Sequence, residues 1–456
     1  MALTITNPAT EEVIRELPED DAGSVADKLA RARAAQPAWA ARPMAERLGA
    51  LRTFGELVAA RTDELARTTT DEVGKPVTQA KNELKGLLAR LEFFLEATPS
   101  ALADEVVFSE GVLEERIAHE PLGVVVNVSA WNYPYFVGSN VFVPALLAGN
   151  AVLYKPSEHA TLTGLAVARL LHEAGVPEDL FAPVVGGGPV GAELVRQPVG
   201  GVFFTGSYAT GKKIAAAAAP NMVKLQLELG GKDPVYVTDD VDVRAAAEAT
   251  ADGAFYNAGQ SCCAVERVYV HERVHDEYVK AFVETVKGFA VGDPRDEATY
   301  LGPLARKEQL AVLEDQVAEA KQKGGRVELG GARMARKGYY FEPTVVTGAT
   351  HAMRLMRDES FGPVIGIQAV KGDDEALALM NDTPYGLTAG VYTHDRARAE
   401  RLLRGVSAGS AYWNCCDRVS PRLPWSGRGH SGVGATLSRY GILAFTQPKA
   451  WHLRRA

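Results

Sequence analysis

The sequence predicts an α/β protein built on parallel sheets, and three features point that way. From Gly123 onward, short apolar runs alternate with longer amphipathic stretches. A Gly-Gly-Lys-Asp-Pro break at residues 230–234 divides this alternation into two regions. The 456 residues are enough for two or three domains, each with its own core. Strand and helix in strict succession imply right-handed crossovers, and these pair strands in parallel.

Residues 20–104 read mostly as helix, with apolar positions three and four apart, as in Met44, Leu48, Leu51, Phe54 and Val58. In residues 105–120, Val106 and Phe108 precede Ser109-Glu110-Gly111, and Val112, Leu113 and Ile117 follow, which predicts a β-hairpin turning there. Strands are then expected at Val124–Val128, Ala151–Tyr154, 181–185, Val202–Phe204 and 222–227. The helices between them are 135–148, 161–174, 189–196 and 210–218. Beyond the break come strands at 235–237, 266–270, 325–328, 343–347, 364–369 and 389–393, with helices at 243–257, 274–289, 305–323 and 374–381. Residues 414–434, rich in Pro, Gly, Ser and Arg, read as a loop, and Ile442–Leu453 as one last strand.

Composition excludes several classes. The net charge of −8 argues against nucleic acid as a partner. The N-terminus lacks the basic and apolar regions of a signal peptide, and the apolar run Val141–Leu147 is broken by Pro144 and too short to span a membrane. The four cysteines form two adjacent pairs, Cys262-Cys263 and Cys415-Cys416, a spacing of neither a disulfide framework nor a zinc site. No metal is expected, and free thiols suit a cytoplasmic enzyme.

Two glycine motifs mislead. Residues 186–191 fit G-x-G-x-x-G after a strand, but no acidic residue follows a second strand at the required distance, so a plain strand-to-helix turn is the preferred reading. Residues 206–212 fit G-x4-G-K, but Lys213 stands where a nucleotide P-loop needs Ser or Thr, so an ATPase is rejected. The glycines there can still offer backbone N–H groups to a phosphate at a helix N-terminus.

The chemistry-bearing segments are Gly259-Gln260-Ser261-Cys262 and Leu227-Glu228-Leu229-Gly230-Gly231. A thiol on a Gly-Gln-Ser loop can be acidified by backbone N–H groups into a nucleophile. A carboxylate among leucines should have a raised pKa, which suits a general base; its plainer reading is a buried structural ion pair.

With Ala130-Trp131-Asn132-Tyr133-Pro134, Lys155-Pro156-Ser157-Glu158, Phe204-Thr205-Gly206-Ser207 with Gly211, Glu359-Ser360-Phe361-Gly362-Pro363 and Trp413-Asn414, these segments run in one order along nearly the whole chain. In that order, and with Glu228 and Cys262 separated by 34 residues, the sequence resembles the aldehyde dehydrogenase superfamily, of the NAD(P)-dependent hydrolytic type.

The resemblance implies roles residue by residue. Cys262 would attack the aldehyde, and Asn132 with the Cys262 backbone N–H would form the oxyanion hole, each donor contributing about 3 kcal/mol. Glu228 would activate water. Lys155 and Glu158 would hold the adenosine ribose, and Ser207 with the N–H groups of its turn the pyrophosphate. Glu359 would hold the nicotinamide ribose, Phe361 would pack beside the ring and Trp131 would line the site, to which Ser157, Gly206, Gly211, Leu229 and Gly230 would also belong. A negative Glu158 disfavours a 2′-phosphate, so NAD is the expected cofactor and NADP the alternative. The aldehyde tunnel would be lined by Tyr135, Phe136, Val137, Asn140, Tyr256, Ser261, Cys263, Val419 and Trp425. Arg418 and Arg422 near its mouth would either hold a substrate carboxylate or be solvated loop residues.

The resemblance further implies a Rossmann-like cofactor domain over 1–104 and 123–229, an α/β catalytic domain over 230–435, and a small β oligomerisation element from 105–122 and 436–456. A homodimer or homotetramer follows from pairing that element between copies. One departure stands out: Thr436 occupies the place of a second glutamate that assists proton exit in many members. The substrate is left open between an aromatic or aliphatic aldehyde and a short semialdehyde such as succinate semialdehyde. Two rival readings are a coenzyme A-acylating enzyme, which the presence of Glu228 argues against, and a catalytically silent relative.

Overall fold

The computed structural model describes residues 2–455. Valine-rich and aromatic runs that are buried on both faces become the central strands of two sheets, as parallel sheets covered by helices require.

The first sheet has six strands in the order Gly432–Val433, Lys224–Glu228, Gly201–Thr205, Val124–Val128, Ala151–Lys155, Phe181–Pro183. All pairings are parallel except that of Gly432–Val433 with Lys224–Glu228. Val124, Val125 and Val126 are buried at its centre, each worth roughly 1.5–3 kcal/mol of transfer free energy. The four helices Ala22–Ala40, Met44–Ala60, Thr62–Val73 and Val77–Ala101 cover this sheet together with the helices that connect its strands.

The second sheet has seven strands, in the order Arg326–Leu329, Thr344–Thr347, Val364–Val370, Arg267–His271, Pro234–Val237, Thr388–Tyr392, Ser410–Trp413. Only the Arg326–Leu329 edge strand is antiparallel to its neighbour. A third, antiparallel sheet joins Glu105–Glu110 and Leu113–Pro121 to the distant strand Thr446–Arg454.

Several expectations need correction. An N-terminal hairpin, Ala2–Thr6 with Val13–Pro18, is not foreshadowed by alternation, because only Ile5 of its apolar residues is buried. The hairpin at 105–120 does not turn at Ser109-Glu110-Gly111: Ser109 and Glu110 are paired within the strand, and the turn falls at Gly111 and Val112, where Gly111 has φ +58°. The tail is not one strand, since Ser438–Leu443 is a helix packed on the first sheet's helices and the strand begins at Thr446. Ser410–Trp413 and the helix Arg396–Gly405 were also missed. Among the described residues no helix is long and apolar enough to cross a membrane.

Candidate active site

The carboxyl ends of the first sheet's strands open on a cleft of about 680 Å³. Ligands in open α/β sheets are bound at this end. Trp131, Lys155, Ser157, Glu158, Gly206 and Ser207 all line it. Ser207 caps the helix Tyr208–Ala218, accepting from the Thr210 N–H at 3.3 Å. Gly211 lies one turn in, where a Cβ would stand 2.7 Å from Leu229 Cδ2, so glycine there lets Leu229 close onto the helix. Lys155 is buried with only the Pro156 carbonyl to donate to, at 3.3 Å, and burial lowers its pKa. Burial raises the Glu158 carboxyl, but its own backbone N–H, Lys155 and His159 outweigh this and leave it below the usual carboxylate range. An under-used ammonium beside an ionised carboxylate, at the mouth of an apolar cleft, fits the hydroxyls of a ribose.

Gly188 and Gly191, of the motif set aside as a plain turn, border the same cleft. That turn is a strand-to-helix connection, with the Gly187 N–H donating to Glu19 at 2.9 Å. Its place beside Lys155 could not be read from its spacing alone.

On the Trp131 side of the cleft stands the segment that carries Glu359 and Phe361. A buried ion pair, Lys232 with Glu266 at 2.6 Å, pins the segment after Glu359. Glu266 accepts from the backbone N–H groups of Ser360 and Phe361, each at 3.0 Å, and Lys232 donates to the Ser360 hydroxyl. Phe361, held at φ +47°, meets Trp131 edge-to-face at 5.5 Å. Glu359 accepts from the Gly231 N–H at 2.9 Å, and a Cβ on Gly230 would lie 2.1 Å from the Glu359 carboxylate, so this approach requires glycine. Burial, reinforced by Glu266, pushes the Glu359 carboxyl up to about 8.

Cys262 follows a left-handed turn. Asn257, Ala258 and Gly259 all have positive φ (54°, 54° and 69°), a strained run that the surrounding hydrogen bonds maintain. Gln79 accepts from the Asn257 N–H at 2.9 Å, and Gln260 bridges the Asn257 carbonyl to the Ala305 N–H. The turn delivers a half-buried Cys262 thiol. Asn132 is buried beside the same loop, and its amide donates to the Gln260 carbonyl at 3.1 Å. An amide carries two N–H groups, so one remains uncommitted.

Glu228 ends the strand Lys224–Glu228 and is buried. Gln226 Nε2 donates to it at 3.2 Å, and the Thr436 hydroxyl donates to the same oxygen. Burial prevails over these donors and over Arg90, pushing the carboxyl up to about 7. Asn132 thus follows the cleft-lining Trp131 in the chain, and Glu228 pairs with the cleft-lining Thr205 across the sheet.

A sequence profile of the aldehyde dehydrogenase family matches residues 1–451. The chain belongs to that family. Family members are NAD(P)-dependent oxidoreductases. Betaine aldehyde dehydrogenase of Cereibacter sphaeroides is 37% identical over 451 residues, covering 98% of this chain and 93% of the relative. The NADP(+) succinate-semialdehyde dehydrogenase of Deinococcus radiodurans is 36% identical over 448 residues, covering 97% and 93%. The crystal structure of an NAD-dependent aldehyde dehydrogenase from Sinorhizobium meliloti superposes with a TM-score of 0.97 at 34% identity, covering 100% of this chain and 92% of that one.

The expected tunnel residues of this aldehyde dehydrogenase do not all gather. Tyr135 is corrected outright: it is buried in the core and donates its hydroxyl to the Leu65 carbonyl at 2.8 Å. Phe136 and Val137 are half-buried, and Phe136 stacks on Tyr133 with centroids 5.7 Å apart. Asn140 is buried with its Oδ1 unpartnered. Tyr256 is half-buried, with Asn82 donating to its hydroxyl at 3.4 Å. Val419 is half-buried and Trp425 is buried, both packed into the first sheet's core. Arg418 and Arg422 are exposed.

Three residues near the centre were missed. Asp417, at φ +47°, accepts from Cys263 Sγ at 2.9 Å and from the Ser261 hydroxyl at 3.4 Å. Burial raises its pKa, and it occupies the second thiol. Tyr133 stacks under Phe136 with the Lys75 ammonium 3.8 Å from its ring. Arg90 sits on the buried face of Val77–Ala101, and a charged residue on an otherwise apolar helical stripe was the signal available for it.

Proposed function

We propose that this aldehyde dehydrogenase oxidises its substrate to a carboxylic acid through a thioester on Cys262, hydrolysed by water that Glu228 activates. The observation that carries the reading is an Asn132 amide bonded to the carbonyl two residues before a half-buried Cys262, together with a buried Glu228 raised to about 7.

The Cys262 thiolate forms a C–S bond to the aldehyde carbon, and the carbonyl oxygen becomes an oxyanion. The free Asn132 N–H and the Cys262 backbone N–H are the donors for that charge, which develops only as the bond forms. Bound NAD(P)+ supplies the hydride acceptor that converts the adduct to a thioester. Lys155, Ser157 and Glu158 would hold its adenosine ribose, the Gly206-Ser207 turn its pyrophosphate, and Glu359 with Trp131 and Phe361 its nicotinamide end. Glu228 then takes a proton from water as the water oxygen bonds to the thioester carbon, and Cys262 leaves as thiolate. Acyl acceptors other than water have no role here, because a buried carboxylate able to accept a proton near pH 7 favours hydrolysis over acyl transfer.

The ionised Glu158 supports NAD over NADP, since a 2′-phosphate would lie against its charge. The names of the relatives include both cofactors. The exposed apolar residues Val106, Val107, Phe108 and Val112 on the outer hairpin support pairing with a second copy of this chain. The test is reduction of NAD+ and NADP+, followed by absorbance, across a panel of aldehydes. Turnover with NAD+ preferred is the expected result; folded protein that reduces neither cofactor with any aldehyde would overturn the reading.

Thr436 stands in for the missing second glutamate as a positioning residue. Its hydroxyl stabilises the ionised form of Glu228. Thr436→Val is expected to slow thioester hydrolysis about tenfold and to move the acid limb of its pH profile above pH 7, because loss of a donor favours the neutral carboxyl. Stopped-flow single-turnover rates against pH measure both; an unmoved limb would refute the role.

A further inference from the structure

The helix Val77–Ala101 buries two charged residues on its core face, Glu83 and Arg90. Glu83 is fully occupied: it pairs with Lys75 and accepts from the backbone N–H groups of Tyr135 at 2.7 Å and Phe136 at 3.2 Å. Arg90 is not. It is 6% exposed, and its Nε has no partner. Its hydrogen bond to protein is a long one, Nη1 to the Gly86 carbonyl at 3.4 Å. It makes no ion pair among the described residues. Its remaining contact is with the ring of Phe136, whose centroid lies 3.8 Å from the guanidinium carbon.

A guanidinium has five N–H donors in a fixed fork, and buried donors are ordinarily satisfied. Here Nε is buried without a partner and Nη1 has only the long bond to Gly86. Burial lowers the Arg90 pKa to about 10, so it stays charged at neutral pH. Of the groups that act on its charge Glu83 comes first, followed by Cys263, the neighbour of Cys262, and by Glu228. An unpaired buried cation is costly, and a carboxylate is the group whose geometry completes the fork.

We propose that Arg90 anchors a carboxylate carried by the aldehyde substrate, which makes the substrate class the ω-oxo acids. The proposal rests on Cys262 being the nucleophile, since it is the aldehyde end that must reach the thiol. It also separates the two substrates named among the relatives. A cationic aldehyde such as betaine aldehyde would meet a fixed positive charge, and the Phe136 face that would otherwise receive a cation is already covered by the guanidinium. Arg418 and Arg422, exposed on their loop, have no such burial to make them selective.

The experiment compares kcat/KM for 4-oxobutanoate and 5-oxopentanoate with butanal and pentanal, in the wild type, Arg90→Met and Arg90→Lys. The wild type is expected to favour the oxo acids by about 10- to 100-fold, the range of a charged hydrogen bond. In Arg90→Met that ratio should collapse toward one, chiefly through KM, and Arg90→Lys should restore part of it. A wild-type ratio near one overturns the proposal without any variant, so a folding failure of Arg90→Met does not protect it. An unchanged ratio in Arg90→Met, with oxo acids and simple aldehydes slowed together, overturns it in favour of Arg90 merely tuning Glu228. Turnover of butanal without preference sinks Arg90 alone, whereas no turnover of any aldehyde sinks the dehydrogenase mechanism and this anchor with it.

Discussion

Cys262→Ala is expected to lower aldehyde-dependent NAD(P)H formation by on the order of 10⁴-fold or more, because the variant has no group to form the covalent adduct. The neighbouring thiol cannot substitute. Cys263 is buried, its Sγ is held by Asp417 at 2.9 Å, and its pKa is driven up first by the Cys262 sulfur and then by burial. A thiol kept protonated is a poor nucleophile. Cofactor binding should survive, since the cleft is built from Trp131, Lys155, Glu158 and the Gly206 turn rather than from the thiol. Steady-state absorbance and cofactor-induced thermal shift measure the two properties separately. Substantial residual turnover in Cys262→Ala would place the nucleophile elsewhere.

Glu228→Gln is expected to separate the two halves of the reaction. The first turnover should still release reduced cofactor as a burst, while hydrolysis falls about 10²- to 10⁴-fold, the range of lost general-base catalysis. Glutamine keeps the shape and can still accept from Thr436, so the loss is chemical rather than structural. Intact mass should then show the acyl group on the protein. In the wild type the carboxyl must be ionised to accept a proton, so hydrolysis should fall as pH drops through about 7 and level off above it. In Glu228→Gln that limb should vanish. Normal steady-state turnover with no trapped adduct would remove Glu228 as the base.

How much of this was legible beforehand differs by feature. Strands such as Val124–Val128 were readable because burial on both faces leaves a run of valines, and the helices of residues 20–104 because one apolar face repeats every three to four residues. The N-terminal hairpin was not, because its exposed Val13 and Ile14 carry no alternation. The expected turn at Ser109-Glu110-Gly111 starts two residues before the observed one, because polar residues that suit a turn also suit the solvent-facing edge of a strand. Tyr135 was assigned to the tunnel by adjacency to Phe136, yet consecutive helical residues face different ways, and its hydroxyl goes to Leu65.

By its residues alone the chain determined the α/β alternation, its family, and the identity and order of Asn132, Glu228 and Cys262, because these are local patterns and fixed spacings. Only the tertiary structure decided that Thr436 donates to Glu228 from 208 residues away, that Asp417 ties up Cys263, and that Arg90 is buried against Phe136 with its Nε unpartnered. Those meetings depend on how helices and loops pack across the sheets, and no local period or motif encodes which distant side chains end in contact.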